Sequence, residues 1–293
     1  MQDISLDYLK VPAITSVTSF FSSVLFYPLE VCATVIKADV KKIRLAQAVK
    51  MIHSDGGYRS FYKGLNTVFY EVFPPTLIYF CTYDILNKKL SEMFGEKHKN
   101  KKWVIPVFSS FLAETASLAI YVPINMVQTR IQTGRKNFQY ESSFSALRAI
   151  AKEEGFLRLY FASPLLMIYM LGFTTIQFSL YEWFKKGILS FKEKKEFGIY
   201  DSVLATWGAT IIASGVTNPI DTLVTRYQCT NFAAKDSKEL TAFKIIKRDY
   251  RLFGFAGINR GFFIKIAADV YYSSIYIPVY EFLRQKYNIE LDI

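Results

Sequence analysis

The sequence predicts an all-α membrane protein, a three-repeat, six-transmembrane-helix bundle with pseudo-threefold symmetry. Three observations predict it. Six apolar segments recur along 293 residues, prolines near the ends of alternate segments stand 95 and 96 residues apart, and a tyrosine–acid pair near the ends of the others repeats with nearly the same period.

The apolar segments are Val11–Tyr27, Phe69–Leu86, Val104–Val122, Pro164–Leu180, Val203–Val216 and Phe262–Tyr280. Each approaches the ~20 residues that a spanning helix needs. Ser, Thr and Tyr dilute several of them, so each helix is expected to turn one face to a partner helix or a polar cavity.

Repetition decides the architecture. Pro28-Leu29-Glu30, Pro123-Ile124-Asn125 and Pro219-Ile220-Asp221 open similar strings, the last two continuing as Arg130-Ile131-Gln132 and Arg226-Tyr227-Gln228. The second marker reads Tyr83-Asp84, Tyr181-Glu182-Trp183-Phe184-Lys185 and Tyr280-Glu281-Phe282-Leu283-Arg284. A third lies between them as Tyr62-Lys63-Gly64, with weaker echoes at Tyr160-Phe161-Ala162 and Phe255-Ala256-Gly257. One proline in an apolar segment signifies only a kink. Three at constant spacing, each followed by a tyrosine–acid pair, divide the chain into repeats at 1–98, 99–195 and 196–293. Amphipathic stretches at Arg44–His53 and Ser142–Lys152 fit short surface helices joining the two long helices of a repeat.

The net charge of +11 sits in the connections. Seven Lys/Arg lie from Lys37 to Lys63, six from Arg130 to Arg158 and seven from Arg226 to Arg251, with six from Lys88 to Lys102 and five from Lys185 to Lys195. Anionic lipid headgroups explain such loops better than nucleic acid, which is excluded as a partner. The charge asymmetry is too small to orient the chain. Cys32, Cys81 and Cys229 lack metal spacing and read as small apolar residues. His53 and His98 make no metal site. Met1-Gln2-Asp3 opens no arginine-rich presequence, and no basic segment precedes Val11–Tyr27 as it would a signal core.

The whole chain resembles the mitochondrial carrier family, whose pattern is Pro-x-acid-x-x-base-x-base on odd helices and aromatic-acid-x-x-base on even ones. The resemblance implies six helices around a central cavity and two gates made of salt-bridge rings. It further implies the mitochondrial inner membrane, a multi-pass topology and cardiolipin at the starts of the surface helices. No resident cofactor is implied.

The matrix gate implied by that pattern comprises Pro28, Glu30 and Ala33, then Pro123, Asn125 and Gln128, then Pro219, Asp221 and Val224. The three positions expected to be basic are Ala33, Gln128 and Val224, so no ring of ion pairs can form from them. The glutamine braces persist as Gln132 and Gln228, while Lys37 stands at the first brace, seven residues from Glu30 and only loosely within its reach. The cytoplasmic gate keeps Tyr83, Asp84, Tyr181, Glu182, Lys185, Tyr280, Glu281 and Arg284, with Asn87 where the first base is expected.

About thirteen residues before each tyrosine–acid marker, roughly 20 Å along the helix, lie Glu71, Tyr169-Met170 and Ala268-Asp269. Glu71, Tyr169, Met170 and Asp269 are the candidate cavity contacts. Acids at that depth are functional candidates. They favour a cation or an amine-bearing metabolite over nucleotides and carboxylates. Lys265, one turn before Asp269, is placed to neutralise it; Glu71 has no local partner, and neither has Glu114. No phosphate loop, Cys/His cluster or nucleophile–base motif is present, so no enzyme activity is expected.

The loss of every expected matrix-ring base and the erosion of the third marker favour a carrier fold with reduced or lost transport. Its role would be structural or accessory, among the subunits of an inner-membrane complex. The alternative is a solute carrier exchanging a small cationic or amine-bearing metabolite by alternating access.

Overall fold

The computed structural model describes residues 6–39, 41, 43–94, 104–134, 143–192, 198–230 and 241–286. The expected repeat boundaries, His98 and the first three residues lie outside the described residues. Six long helices carry the structure: α1 (Leu6–Ala38), α3 (Leu65–Phe94), α4 (Val104–Thr133), α6 (Ser163–Lys192), α7 (Ile199–Gln228) and α10 (Phe262–Lys286). With 25 to 33 residues each, they reach roughly 37–50 Å at the α-helical rise. Lys10–Ala38, Ile105–Thr133 and Phe156–Phe191 are long and apolar enough to cross a membrane by length and composition. The other long helices carry more polar residues along their length.

Shorter helices join the pairs: α2 (Leu45–Ser54), α5 (Ser143–Glu153) and α8 (Ala242–Phe253), the last followed by a single turn, α9 (Phe255–Ile258). Each short helix buries two residues one turn apart, Ala48 and Ile52, Ala146 and Ile150, Ile245 and Asp249. That spacing puts both on one face. The face packs onto the end of the preceding long helix, as where Ala146 and Ile150 meet Met126 and Val127.

Adjacent repeats pack through an even helix of one and the odd helix of the next. α3 lies on α4, α6 on α7, and α10 returns to α1, so the six helices close into a ring. Small residues permit the close approaches. Ala205, Ala209 and Ala213 are fully buried along α7, and a Cβ on Gly208 would stand 2.9 Å from the Phe184 ring of α6. Phe21, Leu25, Val107 and Val216 are more than half exposed on the outside, as an apolar surround requires.

Pro28, Pro123 and Pro219 stand inside helices that continue past them, and α3 likewise continues through Pro74-Pro75. Beyond the three repeated prolines, buried ion pairs tie odd helices to their short helices. Arg130 makes a two-pronged pair with Glu154 at 2.5 and 3.1 Å and donates to the carbonyls of Gln228 (2.8 Å) and Thr230 (3.1 Å). Arg226 pairs with Asp249. The corresponding residue in the first repeat is Val35, and there Asp55 pairs with Lys63 instead.

The third marker forms the junction into the even helix. Tyr27 donates from its hydroxyl to the Lys63 carbonyl at 2.8 Å. Gly64 turns the chain with φ +83°, where a Cβ would meet the Tyr27 hydroxyl at 3.0 Å. In the second repeat Phe161 stacks on Tyr227 and Ala162 is buried beside Ile245. The eroded sequence therefore builds a packed junction from different groups.

Candidate functional site

A cavity of about 1210 Å³ runs along the axis and takes lining residues from all six long helices. Its floor is the segment just beyond the repeated prolines, and its walls extend to Tyr181, Glu182 and Lys185 near the other end. The two ends differ in what holds the helices together.

At the proline end the odd helices are joined in a cycle. Between α1 and α4, the Gln128 amide donates to Glu30 Oε1 at 3.0 Å and Gln132 donates to the same oxygen at 3.3 Å. Between α4 and α7, Gln228 donates to Asn125 Oδ1 at 2.8 Å, and the Thr129 hydroxyl donates to Gln228 Oε1 at 3.0 Å. Between α7 and α1, Lys37 makes an ion pair with Asp221. Lys265 of α10 adds a cation 3.9 Å from Asp221 Oδ2. The floor is thus closed by one ion pair and two amide-mediated links.

That geometry corrects the reading of Lys37. It does not turn back along its own helix to Glu30; it crosses to Asp221. Ala33 and Val224, which replace bases, are buried among apolar neighbours. The linking groups stand one helical turn further on: Lys37 is four residues after Ala33, Gln132 four after Gln128, and Gln228 four after Val224. Residues four apart share a helix face, so the links come from Gln128, at its expected position, together with the three brace positions one turn on.

The opposite end is lined by Tyr181, Glu182 and Lys185 of the tyrosine–acid markers. Glu182 and Lys185 stand 3.8 Å apart on one helix, the Tyr181 hydroxyl meets Ser202 Oγ at 3.2 Å, and Tyr83 stacks on Tyr79. Asp84 is exposed. The side chains of Tyr280, Glu281 and Arg284 lie outside the described residues. The cavity is sealed at the proline end by the cycle of links between the odd helices.

Of the candidate contacts, Glu71, Tyr169 and Asp269 line the cavity. Met170 does not; it packs against the apolar cluster of Leu118, Val122, Leu166 and Val224. Asp269 is neutralised by Lys265 at 2.7 Å and accepts from the Ser214 hydroxyl at 2.6 Å. Glu71, expected to lack a local partner, accepts from the Asn125 amide at 3.2 Å across the helix interface. Glu114 is absent from the cavity lining.

The lining carries five carboxylates, Glu30, Glu71, Glu182, Asp221 and Asp269, against three ammonium groups, Lys37, Lys185 and Lys265, a net of −2. The ammonium groups are committed to Asp221, Asp269 and Glu182. Among the described residues no cation stands at ion-pair distance from Glu30 or Glu71. No cluster of metal-ligating side chains occurs among the described residues.

A family model described as mitochondrial carrier protein matches residues 6–94, 99–192 and 195–290. Similar proteins include mitochondrial nicotinamide adenine dinucleotide transporter 1 of Saccharomyces cerevisiae, 27% identical over 282 residues, 91% of this chain and 74% of that one. Another is the putative mitochondrial carrier protein PET8 of Eremothecium gossypii, 29% identical over 212 residues, covering 70% of this chain and 73% of that one. A third is a mitochondrial adenyl nucleotide antiporter of Danio rerio, 27% identical over 268 residues, covering 89% of this chain and 54% of that one. The expectation of a structural subunit with reduced or lost transport is corrected by these relatives, two of which are named for transport. With all three repeats matched, the chain belongs to the mitochondrial carrier protein family of mitochondrial membrane transporters.

Proposed function

We propose that the protein is a solute carrier that crosses the mitochondrial inner membrane six times and exchanges a small cationic or amine-bearing metabolite by alternating access. The single observation that carries this reading is the pair of carboxylates, Glu30 and Glu71, with no cation at ion-pair distance among the described residues, at the floor of a cavity whose lining has a formal charge of −2. An uncompensated charge away from bulk water is expensive, and a cationic solute entering the cavity offsets it. A polyphosphate or polycarboxylate adds like charge to the same site. The nucleotides in the relatives' names are properties of those proteins and do not match this lining.

Alternating access needs a closed end that opens at modest cost. Neutral hydrogen bonds contribute about 0.5–1.5 kcal/mol net, and those to charged groups about 1.5–3 kcal/mol. A ring of one ion pair and two amide-mediated links falls within what differential binding of a solute can shift. In this reading the proline end, which the links between the odd helices close, faces the matrix. Tyr169 and Asp269 would contact the solute higher in the cavity. The basic face of α8, with Lys244, Lys247, Arg248 and Arg251, supports an association with anionic lipid, cardiolipin being the proposed one.

Thermal unfolding of the purified protein against cationic amino acids, polyamines, nucleotides and dicarboxylates tests the solute class. Stabilisation confined to cationic or amine-bearing compounds is expected. Stabilisation by nucleotides or dicarboxylates alone would overturn the reading.

A further inference from the structure

We propose that Lys265 couples the cavity to the gate as a shared cation: a solute ammonium that takes Asp269 hands Lys265 to Asp221, and Asp221 then releases Lys37, the tie between α7 and α1. The inference rests on the reading of the chain as a carrier of cationic or amine-bearing solutes, and it names the residue through which such a solute acts on the closed end.

Lys265 stands between two carboxylates of different duty. Its Nζ lies 2.7 Å from Asp269 Oδ1, four residues on along the same helix, and 3.9 Å from Asp221 Oδ2 on α7. That Asp221 oxygen is the one that Lys37 of α1 holds. All four side chains line the cavity and are at least four-fifths buried, and their charges sum to zero. A solute ammonium entering the group brings a fifth charge, so two lysines and the newcomer must divide two carboxylates.

Geometry decides which contact yields. The Ser214 hydroxyl of α7 holds Asp269 Oδ2 at 2.6 Å, whereas Oδ1 is held by Lys265. With Ser214 fixing the carboxylate, Oδ1 is the position that a solute ammonium can take. Lys265 then closes on Asp221 by about 1 Å to reach the roughly 2.7–2.9 Å of a charge-assisted hydrogen bond. The Tyr169 and Phe173 rings, 5.8 and 5.9 Å from Nζ, flank the ammonium within cation–π range. The lysine exchanges one carboxylate for another and never stands unpaired, which avoids the heavy cost of an isolated buried charge. A Lys265–Asp221 pair joins α10 to α7, which already pack together, and does not replace the tie between α7 and α1. Loading of Asp269 therefore weakens one link of the closed floor.

A double-mutant cycle of Lys37→Met with Asp269→Asn, read by thermal unfolding of the purified full chain, tests the handover without solute. Asp269→Asn frees Lys265 for Asp221, so the fall in unfolding temperature on Lys37→Met is expected to be at most half of that in the parent. The same cycle in a Lys265→Met background is expected to be additive, whereas a direct field between Lys37 and Asp269 would couple them there undiminished. In proteoliposomes, Lys265→Met is expected to bind 1,5-diaminopentane at least as tightly as the parent, since Asp269 is left open, yet to exchange it at least tenfold more slowly at saturation. Lys265→Arg is expected to exchange within threefold of the parent. An additive cycle in the parent background overturns the proposal whether or not the Lys265→Met chain folds. Coupling that persists without Lys265 would overturn it too, as would a saturated exchange rate of Lys265→Met within twofold of the parent. Exchange of nucleotides and of no cation would instead remove the carrier reading and with it the solute's part in the handover, while the cycle, which needs no solute, still reports on Lys265.

Discussion

Replacing Lys37 by methionine removes the ion pair that joins α7 to α1 while keeping most of the side-chain volume. The Lys37 and Asp221 side chains are 4% and 14% exposed, so the pair is held largely away from water. Deleting one partner of such a pair costs about 3–5 kcal/mol, because the remaining charge stays buried. Lys265 moderates that cost. At 3.9 Å from Asp221, with an effective dielectric of about 20, its gross attraction is about 4 kcal/mol, but it is shared with Asp269 at 2.7 Å. We expect a net loss of about 2–3 kcal/mol from the closed state, a shift of roughly 30- to 150-fold in its ratio to the open state. The assay is a double-mutant cycle of Lys37→Met with Asp221→Asn, read by thermal unfolding with a thiol-reactive dye. Cys32 and Cys229 are buried and report the loss of structure. The single variants are expected to unfold on the order of 5 °C lower, and the double variant to recover at least half of the Lys37→Met loss, because no unpaired carboxylate remains. An additive cycle would refute the pairing. So would strong coupling of Lys37 to Glu30 in a parallel cycle with Glu30→Gln.

Arg130 is wholly buried against Glu154, and its fork also reaches the Gln228 and Thr230 carbonyls. Arg130→Met is expected to cost about 3–5 kcal/mol, and Arg130→Lys to recover little of it because an ammonium cannot reproduce the fork; yield and unfolding temperature in detergent measure both. Gly208→Ala drives a methyl group into the Phe184 ring and should cost about 1–3 kcal/mol, partly relieved by adding Phe184→Leu in the same unfolding assay. Gly64→Ala places a side chain at φ +83° and 3.0 Å from the Tyr27 hydroxyl; a loss of about 1–3 kcal/mol is expected, and Tyr27→Phe should reduce that penalty by removing the crowded oxygen.

The three-repeat ring of helices was legible because its signals are covalent in spacing. Three prolines about ninety-six residues apart and three tyrosine–acid pairs require no knowledge of neighbours. Two of the short helices were legible from their amphipathic pattern: α2 and α5 begin and end within a residue of the expected stretches. The gate was not, for a physical reason. Its links join residues 98 to 184 positions apart, which a reading along one helix cannot pair; Lys37 was therefore assigned to its own helix. The glutamine braces Gln132 and Gln228 were legible as positions, but which helix each would reach was not. Met170 and Tyr169 are neighbours in sequence, and only packing decides which faces the cavity. Glu71 was legible as an acid at depth, but its Asn125 partner belongs to another repeat.

Exchange by purified protein in proteoliposomes tests the central claim most directly, with Glu71→Gln beside the parent. Saturable counter-exchange of a labelled cationic or amine-bearing solute is expected from the parent, reduced at least tenfold in Glu71→Gln although that variant folds and reconstitutes equally well. Exchange of nucleotides or dicarboxylates with no exchange of cations, or a Glu71→Gln variant as active as the parent on the cation, would contradict the account.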